Sequence, residues 1–464
     1  MKKNSLFKAL LIVFMIYIFL SWVIPTGYFS SGNYVKDAIE PVGLFDMITY
    51  PLVTITSSVF ILSALVLLCI GGFYGILNKT GAYSNFLNSI VQKQKGNEKV
   101  TLVVIALIFT IFSSLTSLNL PLFILVPFAA SILLLAGYNK FTSLFATIGG
   151  ILIGNMASTY GFNVAGYISY LTKNINDSIL IRILFLILLT ALFIVTLLKL
   201  AKLEKVKAEE IPLYEKNLDK DKKATPLIIV SIITILVIFT GMINWSELFN
   251  IKFFDNLLTS VSGFKIGGYT LFGNLLGTLP ALGSWTNYEI CLILIINSFI
   301  IGKLYHLTFS EIISAFIDGA KKMLPVAFAT ILASVIFLLM NTNSNGYTIY
   351  NTMTNSILGT SSNLNIFKMS FVTAIGSFLF NDFPYLLSAL YAPITALYTD
   401  TSLIGMITQT IFGLIQFITP TSVLLVAGLI YFDVSYTEWL KKLWRFLISL
   451  LIAIVIILII MIIL

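Results

Sequence analysis

The sequence predicts an all-α polytopic membrane protein made of two pseudo-repeated halves, and three observations carry that prediction. Hydrophobic residues make up 58% of the 464 positions, charged residues only 10%, and the mean hydropathy is +0.98. Soluble domains do not have this composition. Many apolar windows approach or exceed the ~20 residues that cross a bilayer as helix. They are continuously apolar rather than alternating, which excludes a membrane β-barrel. The third observation is a weak internal repeat. Residues 149–167, GGILIGNMASTYGFNVAGY, are small and polar within an apolar chain, and 412–430, FGLIQFITPTSVLLVAGLI, are their partner. At a spacing of 262, Thr159 matches Thr421, Val164 matches Val426, and Ala165-Gly166 matches Ala427-Gly428. Leu120-Pro121 and Phe383-Pro384 precede the two stretches at nearly equal distance. Paired, Gly- or Pro-interrupted segments point to a transporter's solute site. The structural alternative is that small residues merely let helices pack closely.

Charge and composition exclude several functions. The net charge of +8 comes from Lys and Arg between apolar runs, an inner-leaflet bias rather than a nucleic-acid surface. Cys69 and Cys291 sit in apolar runs as free thiols, and His306 is the single histidine, so no metal set and no haem site are expected. Gly149, Gly150 and Gly154 lack a Walker lysine, and Gly71, Gly72 and Gly75 follow a membrane run rather than a strand. With no nucleophile–base set visible, no catalytic residues are expected and the chain does not read as an enzyme.

Taken in order, Lys2, Lys3 and Lys8 precede an apolar run to Ile24. It is too long for a signal peptide and lacks a small-residue cleavage site, so it reads as a retained helix with its start in the cytoplasm. Residues 26–50 read as an outside loop or surface helix, and 51–78 return across the membrane. Residues 78–99 are cytoplasmic and amphipathic. The span from 100 is interrupted at SLTSLNLP, 114–121, where proline frees a carbonyl that protein or a wet cavity must cover. A further span covers 178–200, with Arg182 near its start. The first membrane half is thus 1–200. Residues 201–225 are a mixed-charge cytoplasmic linker, read as solvated, and 226–464 form the second half. There Trp245 is an interfacial anchor, 308–322 a surface helix and 323–340 a span. The Asn- and Thr-rich 341–356 suggest a half-buried loop or hairpin tip near the pathway. NDFP, 381–384, interrupts another apolar run, YTEWLKKLWR, 436–445, reads as an interfacial helix, and 446–464 as a lipid-facing span.

The candidate solute-binding residues follow from these breaks. Asn155, Ser158, Thr159 and Asn163 line the first interrupted stretch, and Thr419, Thr421 and Ser422 surround Pro420 in the second. Their hydroxyls, amides and the half-helix amino ends beside them suit an anionic group. The competing explanation is that Ser and Thr bond back to their own helix. Asp382 stands at membrane depth beside Asn381, where a carboxylate is costly unless it meets water, a cation or a proton. It is equally a good helix N-cap. Asn119, before Pro121, holds the similar place in the first half.

The words GGFYGILNKTGAY, 71–83, FIDGAKKMLPVA, 316–327, and FITPTSVLLVAGL, 417–429, followed by YTEWLKKLWRF, resemble the YfcC-like branch of the anaerobic C4-dicarboxylate carrier family, within the ion transporter superfamily. The resemblance covers nearly the whole chain. It implies an elevator-type secondary transporter with inverted repeats, each carrying a re-entrant hairpin and a broken helix. It places 155–163 and 419–422 on the broken helices and 114–121 and 381–384 on hairpin tips. SLNLP lacks the glutamates that arginine-carrying relatives tend to place there, so substrate identity does not transfer. With few charges at the sites, an amino acid or related small organic solute ranks slightly ahead of a C4-dicarboxylate. A non-transporting scaffold or partner subunit is the rival class. Expected partners are the small solute and membrane lipid, with a homodimer left open and no nucleic acid. No cofactor is expected. The drive, H⁺, Na⁺ or exchange, stays open. The expected place is the cytoplasmic membrane.

Overall fold

The structure, a computed structural model, describes residues 4–30, 33–161, 179–204, 206–216, 222–341, 348–359, 364–398 and 402–463. Helices dominate: α1 (Asn4–Val23), α2 (Asp46–Thr56), α3 (Ser58–Lys79), α4 (Ala82–Lys93), α5 (Glu98–Thr116), α6 (Val126–Leu135), α7 (Lys140–Leu144) and α8 (Gly150–Met156). Then come α9 (Ile179–Leu200), α10 (Thr225–Met242), α11 (Trp245–Phe249), α12 (Phe253–Ser262), α13 (Leu271–Leu276), α14 (Asn287–Leu304), α15 (Phe309–Ala333) and α16 (Val335–Asn341). The last are α17 (Ile349–Leu358), α18 (Ile366–Leu379), α19 (Phe383–Leu397), α20 (Ser402–Gln416), α21 (Val423–Phe432) and α22 (Tyr436–Ile463). The strands described are two small antiparallel hairpins, one pairing Gly27 with Lys36 and the other Lys265 with Thr270.

Among the described residues, eight helices are long and apolar enough to cross a membrane. Four apolar helical stretches are shorter: Pro121–Leu135, Ile366–Leu379, Leu403–Gln416 and Val423–Phe432. At 1.5 Å per residue, stretches of this length fall short of a ~30 Å hydrocarbon core. They flank the places where the sequence is interrupted. Element bounds recur at the sequence spacing: Pro121–Leu135 and Phe383–Leu397 begin and end 262 positions apart, as do the starts of α7 and α20. Between α7 and α8 the backbone makes one π turn, Phe145–Gly149.

The chain forms two compact units, each drawn from both sequence halves. The first contains Met1–Ala64, Ile90–Pro212 and Met323–Leu464. Its centre is α8, which packs on α5 on one side and on α20 on another, while α20 also packs on α18. Both approaches need glycine. A Cβ at Gly154 would lie 2.3 Å from the Thr110 carbonyl oxygen, and one at Gly413 would lie 2.6 Å from Met156 Cα. The second unit contains Leu65–Ser89 and Leu213–Lys322. In it α3 crosses α15 on small residues, since a Cβ at Gly75 would lie 2.2 Å from the Ala315 carbonyl oxygen. This crossing joins the sequence words around 71–83 and 316–327. Cys69 and Cys291 are buried free thiols of the same unit.

Several sequence expectations change. Residues 308–322 and 323–340 are not a surface helix followed by a span, because α15 runs unbroken past Pro325 to Ala333. The residues of 349–358 are a helix rather than a pathway loop, and their polar groups hold the N-terminal hairpin: Asn351 Nδ2 donates to Gly27 O (3.0 Å) and Thr352 Oγ1 to Pro25 O (2.7 Å). Residues 342–347 lie outside the described residues. The linker is not simply solvated, since Ile211, Leu213 and Tyr214 are buried. In the first unit Tyr431 donates to Pro212 O (3.1 Å). In the second, Asn78 Nδ2 donates to Leu213 O (2.9 Å) and Lys322 pairs with Glu215 (2.5 Å). Finally α22 is one helix from Tyr436, and Trp439 is wholly buried against Phe417 rather than anchored at the interface.

The α8–α20 contact yields a prediction. Gly413→Val forces a branched side chain into the Met156 backbone, and overpacking of this kind costs about 1–3 kcal/mol. The thermal midpoint of the purified protein in detergent should fall. An unchanged midpoint contradicts the contact.

Candidate functional site

The first break begins where α5 stops. Ser117 closes α5 in the left-handed conformation (φ 51°), and its N–H returns to Ser113 O. Pro121 then opens the next helical turn, at a position where its missing N–H is harmless. Across from this tip, α8 ends at Met156. The carbonyls released beyond that end must find partners at membrane depth. Gln409 Nε2 donates to Met156 O (3.2 Å) and Ser158 O (3.1 Å). Ser114 Oγ donates to Ala157 O (2.8 Å). Arg182 Nη1 donates to Thr159 O (2.5 Å). Four successive carbonyls are thus each taken by a side chain from another segment.

Side chains of the same stretch are bound as closely. Asn155 Nδ2 donates to Asn119 Oδ1, which ties the turn before Pro121 to the last turn of α8. Asn155 Oδ1 lies 2.9 Å from Ser113 Oγ, Ser158 and Ser117 share a 2.7 Å hydroxyl pair, and Thr159 Oγ1 lies 3.2 Å from Ser114 Oγ. Ser and Thr elsewhere in these helices bond back to their own turn, as Thr110 does to Ala106 O and Thr373 to Met369 O. In the cluster they bond across the break. Asn119, Asn155, Ser158 and Thr159 therefore come together as expected. Asn163 lies outside the described residues, as does the chain after Gly161 where an amino-terminal helix end was expected. What the described part of this break presents is a helix carboxyl end. Arg182 complements its partial negative charge.

The second break repeats the logic with different partners. Beyond the end of α20, Trp439 Nε1 donates to Phe417 O (2.9 Å) and the Tyr436 hydroxyl to Ile418 O. Thr419 and Thr421 share a 2.6 Å hydroxyl pair, and Thr421 Oγ1 donates to Phe378 O in the last turn of α18 (3.1 Å). Ser422 is the N-cap of α21 and accepts from Leu425 N. The ten-residue α21 thus directs its amino end at this cluster. In the turn before Pro384, Asp382 is half-buried and caps α19, accepting from Phe383 N (2.9 Å), while Asn381 Nδ2 donates to Ser334 Oγ (3.0 Å). The capping role weighed from sequence is therefore real.

Gln409 and Arg182 were not among the candidates read from the sequence. Both are polar side chains within apolar runs and buried in the fold, at 4% exposure each. A buried cation at membrane depth is itself a signal of function. Arg182 passes for the ordinary first turn of a span because lysine-rich segments flank so many others. A single Gln in an apolar helix gives still less notice.

A family model described as DcuC, C4-dicarboxylate anaerobic carrier, matches residues 4–463. The chain belongs to this family. It is a multi-pass membrane transporter, not an enzyme, as expected, and the scaffold reading falls away. No sequence among curated proteins matches the chain. Among solved structures the chain is similar to the Alcanivorax borkumensis YdaH transporter, at TM-score 0.40 and 14% identity over 98% of this chain and 97% of that one. It is similar also to MtrF of Neisseria gonorrhoeae, described with a class of antimetabolite efflux pumps, at TM-score 0.40 and 13% identity over 98% and 95% of the two chains.

The carbonyl partners give a direct test. Gln409→Leu strips Met156 and Ser158 of their donor, and an unpaired buried polar group costs about 1–3 kcal/mol. Gln409→Glu keeps the size but, ionised, only accepts. Both should lower the thermal midpoint. Wild-type stability in both would remove Gln409 from the account.

Proposed function

We propose that this chain is a secondary carrier of small dicarboxylates across the cytoplasmic membrane, with the solute held between the two broken-helix clusters. The observation that carries the reading is Arg182. A dicarboxylate wants cationic donors, and a guanidinium buried at the first cluster supplies fixed positive charge. The amino end of α21 at the second cluster adds a partial positive charge for the other carboxylate. Membership of a C4-dicarboxylate carrier family points the same way. Both interrupted helices belong to one compact unit, as a single moving body carrying the site requires. The recurrence of element bounds at 262 supports two repeats, and the elevator motion is part of the proposal.

An amino acid is the second reading, and Asp382 favours it. Its carboxylate beside Asn381 offers a partner for an ammonium or guanidinium group that a dicarboxylate lacks. Proteoliposome uptake separates the two solutes, run under a proton gradient, a sodium gradient and internal counter-solute to identify the drive. Succinate uptake is expected in the wild type. Arg182→Gln should reduce it at least tenfold, about 1.4 kcal/mol, with Arg182→Lys less severe. Asp382→Asn keeps the cap and should spare succinate affinity. Amino-acid uptake without succinate uptake, lost in Asp382→Asn, would reverse the order.

The lysine distribution supports a cytoplasmic N-terminus and linker. In a variant with Cys69 and Cys291 replaced, single cysteines at positions 90 and 215 should react with an impermeant thiol reagent only from the inner side. Reaction of both from outside would invert the topology.

A further inference from the structure

The carbonyl ends of both breaks are bonded, yet one buried amide beside them is not. Gln416 is 7% exposed, and its Nε2 has no hydrogen-bond partner among the described residues. It is the last residue of α20, directly before the second break at 417–422. Its face of the helix is fixed by two neighbours. Gln409 and Gly413 lie seven and three positions earlier, and such spacings share one side of a helix. Both meet the first break: Gln409 donates to Met156 O and Ser158 O, and Gly413 packs against Met156. Gln416 stands about 4.5 Å further along the axis. The residue therefore stands between the contact of Gly413 with the first break and the start of the second at 417.

A long polar side chain in this place is poorly explained by packing. Buried side-chain donors are nearly always bonded, and each exception calls for a cause. The position 262 earlier is Gly154, so the other copy has no side chain here at all. Ser and Thr of the breaks bond one another, whereas Gln416 offers its N–H to none of them.

We propose that Gln416 is a specificity-determining residue of the carrier, its Nε2–H donating to a carboxylate oxygen of the bound solute. The inference rests on the dicarboxylate reading above. An unpaired donor awaits an acceptor, so the ligand group is an anion or a carbonyl rather than an ammonium. An amide selects by geometry without adding charge, which suits a solute carboxylate already facing Arg182. The site gains affinity for carboxylates while the empty protein carries an unsatisfied group. This trade of stability against binding is characteristic of functional positions.

The test uses full-length protein in proteoliposomes with labelled succinate, and thermal unfolding in detergent with and without succinate. Gln416→Leu keeps the volume and removes the amide. It should raise the succinate KM at least tenfold and lower the succinate-induced thermal shift, while the midpoint without solute stays at or above that of wild type. Gln416→Glu keeps size and polarity, removes the donor and should lose succinate more severely. A succinate KM within twofold of wild type in Gln416→Leu overturns the role of Gln416 and leaves the carrier reading standing. A lower midpoint without solute in both variants, or failure of both to fold, assigns the residue to structure and also overturns it. Wild-type protein that neither binds nor carries succinate overturns both readings together.

Discussion

Backbone carbonyls released inside hydrocarbon have no water to turn to, and this constraint orders the first unit of the molecule. Each interrupted helix exists only because side chains from elsewhere accept the cost of its break. Gln409, Ser114 and Arg182 do so for Met156 to Thr159, and Trp439 and Tyr436 do so for Phe417 and Ile418. An unbroken helix would satisfy the same groups for less. What the breaks add is a set of buried polar side chains and helix ends in a place otherwise suited only to lipid.

The two breaks are related in sequence but not in chemistry. The first ends a helix and gathers hydroxyls and amides around a buried cation. The second begins one, with Ser422 capping α21 and the Thr419–Thr421 pair reaching to the last turn of α18. The helix α20 joins both arrangements, with Gln409 at one break and its own carboxyl end at the other.

The parts of this design that the sequence displays are those that break a pattern. Gly, Ser and Asn inside apolar runs, repeated at one spacing, mark both breaks and the turns before Pro121 and Pro384. Asn119 and Asn155 are legible because a lone amide beside a proline or glycine has little other use in a membrane segment. The supporting residues are harder to read. Gln409 is one polar letter in an apolar helix, and nothing local tells that it bonds a chain segment some 250 positions away. Trp439 has the aromatic and basic neighbours of an interfacial anchor, and only tertiary packing buries it under Phe417. The charged 308–322 and the apolar 323–340 read as two elements, yet α15 continues through both, past Pro325, because packing outweighs one lost hydrogen bond. Asn351 and Thr352 have pathway composition, but they serve the N-terminal hairpin.

The central claim is that the polar breaks are kept for a solute. It is tested most directly by an experimental structure of the full chain in lipid with succinate present. The account predicts density for one small dicarboxylate in contact with both 155–159 and 419–422, with Arg182 and the amino end of α21 nearest its carboxylates. Saturating succinate that leaves this region empty, or binds elsewhere with both clusters closed on themselves, would contradict it.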